Sequence, residues 1–307
     1  MKNLWSGYWR TIFAISTLNN PMGMETISEN GMKNVVVNNL LNSFGMETTV
    51  KFQVCKNECK TVEYDETVVV YRIYAMKDFT LANGKSVEKG TRGGWVESEA
   101  NICQDGVCWI ADEAYVYGNA RVFGDAIVCG EAKVYGNASV CDNARVEDKA
   151  IVCENASVCD DARVSDMGVV LGNAVVGGKA MVYDSASVYG DGFVKGNATV
   201  CGDASVYGRT RVSGMALICG NASVCGKAVV RGHATICGDA CVSGYAVVWG
   251  NVKVKECAVV DGYTRLFGHE VVSGSDVVIW DSPNWEKQYG LMIRNAMNEQ
   301  RKIEAGQ

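Results

Sequence analysis

A six-residue period governs more than half of the chain. From Ile110 to Val278 every sixth residue is Val, Ile or Leu, 29 positions of which 25 are Val. Four residues after each stands Ala at 21 of 28 positions, and two residues after each stands Gly at 20 of 28. The eight exceptions at that second place are all acidic: Asp112, Asp142, Asp148, Glu154, Asp160, Asp166, Asp184 and Glu256. The unit is V-x-[GD]-[ND]-A-x, as in VYGNAR (116–121) and VCGDAS (200–205), and no insertion interrupts it. Six residues suffice for one short strand and one turn. Such a unit buries its apolar side only by coiling and stacking on the next coil, which rules out an ordinary globular core.

Each place in the unit has a physical reason. In A-x-V the two apolar residues lie two apart and so face the same side of a strand. Val suits a strand, and the small Ala leaves room in a narrow interior. The x-G-x that follows is a turn, and Gly at its third place fits a type II turn that needs positive φ. Asp takes the same left-handed conformation more readily than most residues. Three units make a triangular coil of 18 residues, so the 169 residues from 110 to 278 predict about nine coils. At ~4.8 Å between stacked strands the rod is ~45 Å long.

The repeat resembles the bacterial hexapeptide-repeat superfamily. The segments MKDF (76–79) and GTRGGWVESEANICQDGVCWI (90–110) resemble the lead-in to the helix in bacterial and phage-encoded members of that superfamily. Together the matches cover roughly residues 65–280. The resemblance implies an all-β, left-handed parallel β-helix; the hand comes from the resemblance, since parallel crossovers are otherwise right-handed. It also implies trimers as a common assembly, and acyl-CoA-dependent acyl transfer as the activity its enzymes are best known for.

The flanks are different. Residues 48–54 and 61–75 read as strands of a hairpin, the cap that an open sheet edge needs. Ser282-Pro283 reads as the start of a short C-terminal helix, with Trp285, Tyr289, Met292, Ala296 and Ile303 along one stripe. The expected organisation is therefore an N-terminal extension (1–46), a hairpin cap and lead-in (47–109), the β-helix (110–280) and the helix (281–307). No apolar run reaches the ~18–20 residues of a membrane span, and the first residues lack a signal-peptide core. The chain is thus expected in the cytoplasm, with its 14 cysteines as free thiols. A net charge of −6 argues against a general nucleic-acid or membrane-surface binder.

Residues 18 apart stack, so the outer surface divides into three faces. The first carries Tyr115, Tyr117, Tyr135, Ile151, Val169, Leu171, Tyr189 and Tyr207, and only Lys133 and Asp261 among its 20 outer positions are charged. A continuous apolar strip of this kind marks an interface, either between copies of the chain (a dimer or trimer) or with a protein partner. The competing reading is a solvated aromatic ladder that merely supports stacking. The second face carries Arg121, Lys195, Arg211, Arg231 and Arg265 beside Phe123, Phe193, Trp249 and Phe267. This pattern reads as a solvated face or as a grip for an acidic partner.

Catalytic signals are sparse. His233 and His269 are the only histidines; both occupy slots held elsewhere by Asn, Asp or Lys, and they lie two coils apart, about 9.6 Å. A catalytic His needs an orienting partner and a pocket, and 28 hexads without an insertion leave no loop to build one within a subunit. His233 is the candidate base if acyl transfer occurs at a cleft between subunits. Asp148, Asp166 and Asp184 stack along one corner, where a cation such as Ca²⁺ would relieve their repulsion; the alternative is that they are simply turn residues. No zinc-type Cys/His set appears and no cofactor is expected. The reading is a non-catalytic scaffold or interaction protein, with an acyltransferase and a phage-encoded acidic inhibitor or nucleic-acid mimic as alternatives.

Overall fold

A computed structural model describes residues 50–63, 67–281 and 283. The expected N-terminal extension and C-terminal helix lie outside these residues. Strands β1 (Phe52–Glu63) and β2 (Thr67–Ala75) form an antiparallel hairpin, followed by the short pair β3 (Phe79–Thr80) and β4 (Ser86–Val87), and by β5 (Arg92–Val96). From β6 (Trp109–Ile110) to β34 (Val277–Trp280) the chain winds as a left-handed parallel β-helix of about ten turns. Most of these strands are two residues long.

The register is the predicted one. Lys133 pairs with Tyr115 and with Ile151, and the same 18-residue step is kept through Val259 and Val277. The stacked strands make a 13-stranded, a 9-stranded and a 10-stranded sheet, one for each face. Every turn has positive φ at its second place after the Val: the 20 glycines span 65–90° and the eight acids 55–62°. An L-residue there carries a local cost of roughly 1–2 kcal/mol, so the choice of Gly, Asp or Glu answers a backbone requirement. The interior is a column of Val and Ala, nearly all fully buried.

Polar ladders bind the corners. Asn119, Asn137, Asn155, Asn173 and Asp191 form a chain of side-chain hydrogen bonds at 2.9–3.1 Å, each residue one coil above the last. Ser139 and Ser157 Oγ do the same at 3.1 Å.

The cap joins the rod through one sheet. β5 pairs antiparallel with β2 and parallel with the strand Tyr115–Val116, so the hairpin extends the first face. Gly93 and Gly94 make this possible. A Cβ on Gly93 would lie 2.6 Å from Ile73 and Trp109, and one on Gly94 would lie 2.4 Å from Ile110. Relative to the sequence reading, the first strand starts later and runs further, through the polar stretch KNECK (56–60). This is the free edge of the sheet, where exposed polar residues are tolerated, and a bulge between Cys55 and Cys59 takes up the irregularity.

Candidate functional sites

On the first face, the aromatic columns form parallel stacks. Tyr117 lies on Tyr135 with centroids 5.1 Å apart, Tyr189 on Tyr207 at 4.8 Å, and Trp95 extends the row over Tyr115 at 6.3 Å. The strip is unevenly open. Tyr117 (4% exposed), Tyr135 (8%) and Cys153 (4%) belong to a buried cluster with Val70 and Trp95, against which Tyr115, Ile151 and Leu171 pack half-buried. Tyr117 and Tyr135 are therefore part of this chain's own packing and do not present an open surface. Val169, Tyr189 and Tyr207 are half-buried, and Val277 and Ile279 at the far end are exposed.

At the junction of cap and rod lies a polar cluster that the sequence reading missed. Arg72 is 2% exposed, and its guanidinium donates to the carbonyls of Gly93 and Asp112, both at 2.7 Å, and to Glu113 Oε1 at 2.6 Å. It stacks on Trp95, 3.8 Å from the ring centroid. Glu113 Oε2 also accepts from Lys60 Nζ at 2.7 Å and from the Trp95 indole at 2.9 Å. These donors, Lys60 foremost, hold the Glu113 carboxyl down to about 2 against the opposing effect of burial. Nearby, buried Lys51 donates to the carbonyls of Asp105 and Gly106 and lies 3.2 Å from Cys108 Sγ. The available signal was a lone cation in an apolar strand (TVVVYRIYA): a buried cation must be paired. The arrangement is a clasp between elements, not a substrate site.

His233 and His269 are both exposed, and neither imidazole has a hydrogen-bond partner among the described residues. Neither histidine lines the shallow surface depressions beside Arg145 and Ser98. The acidic turn residues have a role of their own. Asp148 accepts from the Asp166 amide, Asp166 from Asp184 (both 3.3 Å), and Asp184 from Gly202 at 2.9 Å. Each carboxylate thus meets the turn N–H of the next coil, which the strand ladder leaves unpaired, and this offsets the stacking of like charges. Among the described residues, the one group close enough to hold a metal ion is a different one: Asp142, Cys159 and Asp160. There too Asp142 accepts from the Asp160 amide and Asp160 from the Gly178 amide.

All 14 cysteines are free thiols. Burial raises several of them, Cys129 and Cys219 to about 11, and burial with the Asp142 carboxylate raises Cys141 to about 12. These thiols stay protonated and are poor nucleophiles.

The second face is basic in its C-terminal half. Arg211, Arg231 and Arg265 are exposed, and Arg231 lies over the half-exposed Trp249 indole, 4.9 Å from its centroid. Lys195 lies 4.0 Å from Asp160, and Arg209 3.5 Å from Asp191.

A coil of 18 residues, three parallel sheets and a positive-φ turn in every hexad make this a β-solenoid of six-residue repeats. The fold and the comparisons that follow are consistent with a hexapeptide-repeat β-helix protein. The family described as YdcK Beta solenoid repeat matches residues 114–130 of this β-helix. A relative from Escherichia coli (strain K12), named an uncharacterized acetyltransferase, YdcK, is 33% identical over 72 residues, covering 21% of this chain. The match spans about a fifth of that relative's length (21%). Among the described residues of the β-helix, no helix is long and apolar enough to cross a membrane.

Proposed function

We propose that the protein is a non-catalytic β-helical scaffold that acts by presenting flat faces to protein partners, other copies of itself included. The observation that carries this reading is the unbroken hexad register from Ile110 to Val278: all 28 turns are tight and no loop is thrown out over a face. Solenoids of this kind offer long, flat or gently curved surfaces, and surface chemistry is what varies along them. On the first face the docking residues in this reading are Val169, Tyr189 and Tyr207, beyond the part already packed against Val70 and Trp95. Sedimentation of the protein beside its Tyr189→Glu/Tyr207→Glu variant tests that assignment. A complex dissolved by the two charges supports it, and an assembly indifferent to them overturns it.

Acetyl transfer is the second reading, favoured by the name of the E. coli relative. Here His233 is the base, and a neighbouring subunit supplies the walls that the open corner lacks. Incubation with radiolabelled acetyl-CoA and a panel of amines and sugars separates the two readings. The scaffold reading expects no transfer above a His233→Ala control, whereas transfer abolished by that substitution establishes the enzyme.

A further inference from the structure

The second face is bipolar in both size and charge. Its nine strands are centred on Phe193–Val194, with four on either side. Towards the N-terminus the outer positions of three consecutive strands are small: Ser139 and Cys141, Ser157 and Cys159, Val175 and Gly177. The corners beside them carry exposed Asp142, Glu154 and Asp160. Towards the C-terminus the matching strands carry Arg211, Arg231 and Trp249, and the corner beside them carries exposed Lys227. The glycines and Asn197, Met215, His233 and Asn251 complete that half, with no acid on its corner towards the third face.

We infer that this face is the interface of an antiparallel dimer with a second copy of the chain. A two-fold axis along Phe193–Val194 lays strand on strand in reverse order and keeps each outer column facing its own kind. It sets Trp249 over Cys141 beside Asp142, and Arg231 over Cys159 beside Asp160. Lys227 comes opposite the corner that holds Glu154. Bulky side chains thus meet the small-residue bed, and cations meet carboxylates, twice over by symmetry. A parallel pairing would instead lay each strand on its own copy, so that the strands bearing arginine meet one another and the small-residue strands meet one another. Like charges meet at three places in the antiparallel arrangement. Arg121 meets Arg265 at the two solvated ends, where salt screens them. On the axis Lys195 and Asp191 each meet their own copy, where Asp160 (4.0 Å from Lys195) and Arg209 (3.5 Å from Asp191) on the same chain offset the repulsion. Nine strands at ~4.8 Å and a face about 10 Å wide give roughly 450 Å² a side, which is the size of a weak, micromolar interface. The inference uses none of the tyrosines of the first face and stands or falls separately from them.

Sedimentation velocity at about 10–100 µM and low salt, the range set by that interface size, tests it with two charge-reversed variants, Lys227→Glu/Arg231→Glu and Glu154→Lys/Asp160→Lys. The wild type is expected to dimerise and to dissociate in high salt. Each variant alone is expected to be monomeric, its dimer weakened roughly tenfold or more. An equimolar mixture of the two is expected to form a heterodimer, because every reversed contact then meets its complement. Recovery in the mixture also shows that neither variant is misfolded. A wild type that stays monomeric at the top of the range overturns the inference. So does a dimer that ignores both variants and yields to Tyr189→Glu/Tyr207→Glu, which would place association on the first face. A monomer that binds a labelled single-stranded oligonucleotide, with the binding lost in Lys227→Glu/Arg231→Glu, overturns it in favour of a polyanion site.

Discussion

The rod and its N-terminal cap meet the same need, the burial of apolar sheet, by opposite means. From Ile110 onward the chain repeats one local decision: a Val inside, a left-handed turn, an Ala inside. Each coil touches only its neighbours, and its stability is spread over many near-identical contacts. Between Lys51 and Cys108 nothing repeats. There the sheet is antiparallel, the interior is filled by Phe52, Ile73, Leu81 and Trp109, and buried Arg72 and Lys51 are each held by a set of partners that no other coil repeats. Loss of one contact is diluted in the rod and concentrated in the cap.

The strongest way to break this contrast is Arg72→Ala. It leaves the Gly93 and Asp112 carbonyls without their donor and strips Glu113 of one cation; the cap should lose about 3 kcal/mol. Hydrogen exchange read by mass spectrometry is expected to rise in β1, β2 and β5 and to stay unchanged in coils beyond Val200. Equal loss of protection along the rod would contradict the separation. Val188→Ala, in the middle of the rod, is expected to cost about 2 kcal/mol, with exchange rising only in the adjoining coils.

The turns sharpen the comparison. Asp166 sits at φ 56° with its carboxylate on the Asp184 amide. Asp166→Ala should cost roughly 1–2 kcal/mol, and Asp166→Gly less than half of that, because Gly removes the backbone strain while losing only the amide contact. Thermal melts of the pair check the order; equal costs would mean that φ is not what selects the residue. The smallest effect is acid sensitivity. The Glu113 carboxyl is held at about 2 in the folded cap, below its unfolded value. Its contribution is complete above the ordinary carboxylate range and is lost as pH falls from about 4.5 towards 2. Trp95 fluorescence should follow this loosening, and Glu113→Gln should flatten the profile.

How much the sequence revealed follows the same division. The 18-residue register, the three faces and the positive φ at all eight acidic turn places were legible, because each rests on contacts at fixed spacing. Arg72–Glu113 and Lys51–Cys108 were not, since they join residues 41 and 57 apart with no period to announce them. The burial of Tyr117 and Tyr135 escaped for a related reason: column reading says which residues stack, not what lies across them. The acidic corner was half legible. Stacking of Asp148, Asp166 and Asp184 was plain, but the amide beneath each carboxylate appears only once the coils are laid on one another.

Deletion of one whole coil, residues 169–186, tests most directly the claim that the rod is modular and the cap is not. The cut joins Gly168 to Ser187, two equivalent seams of the repeat, so every face stays in line. The account predicts a folded protein, shorter by about 4.8 Å in small-angle scattering, with exchange in β1, β2 and β5 unchanged. A deleted chain that loses its cooperative melt, or that loosens the cap as Arg72→Ala does, would contradict it.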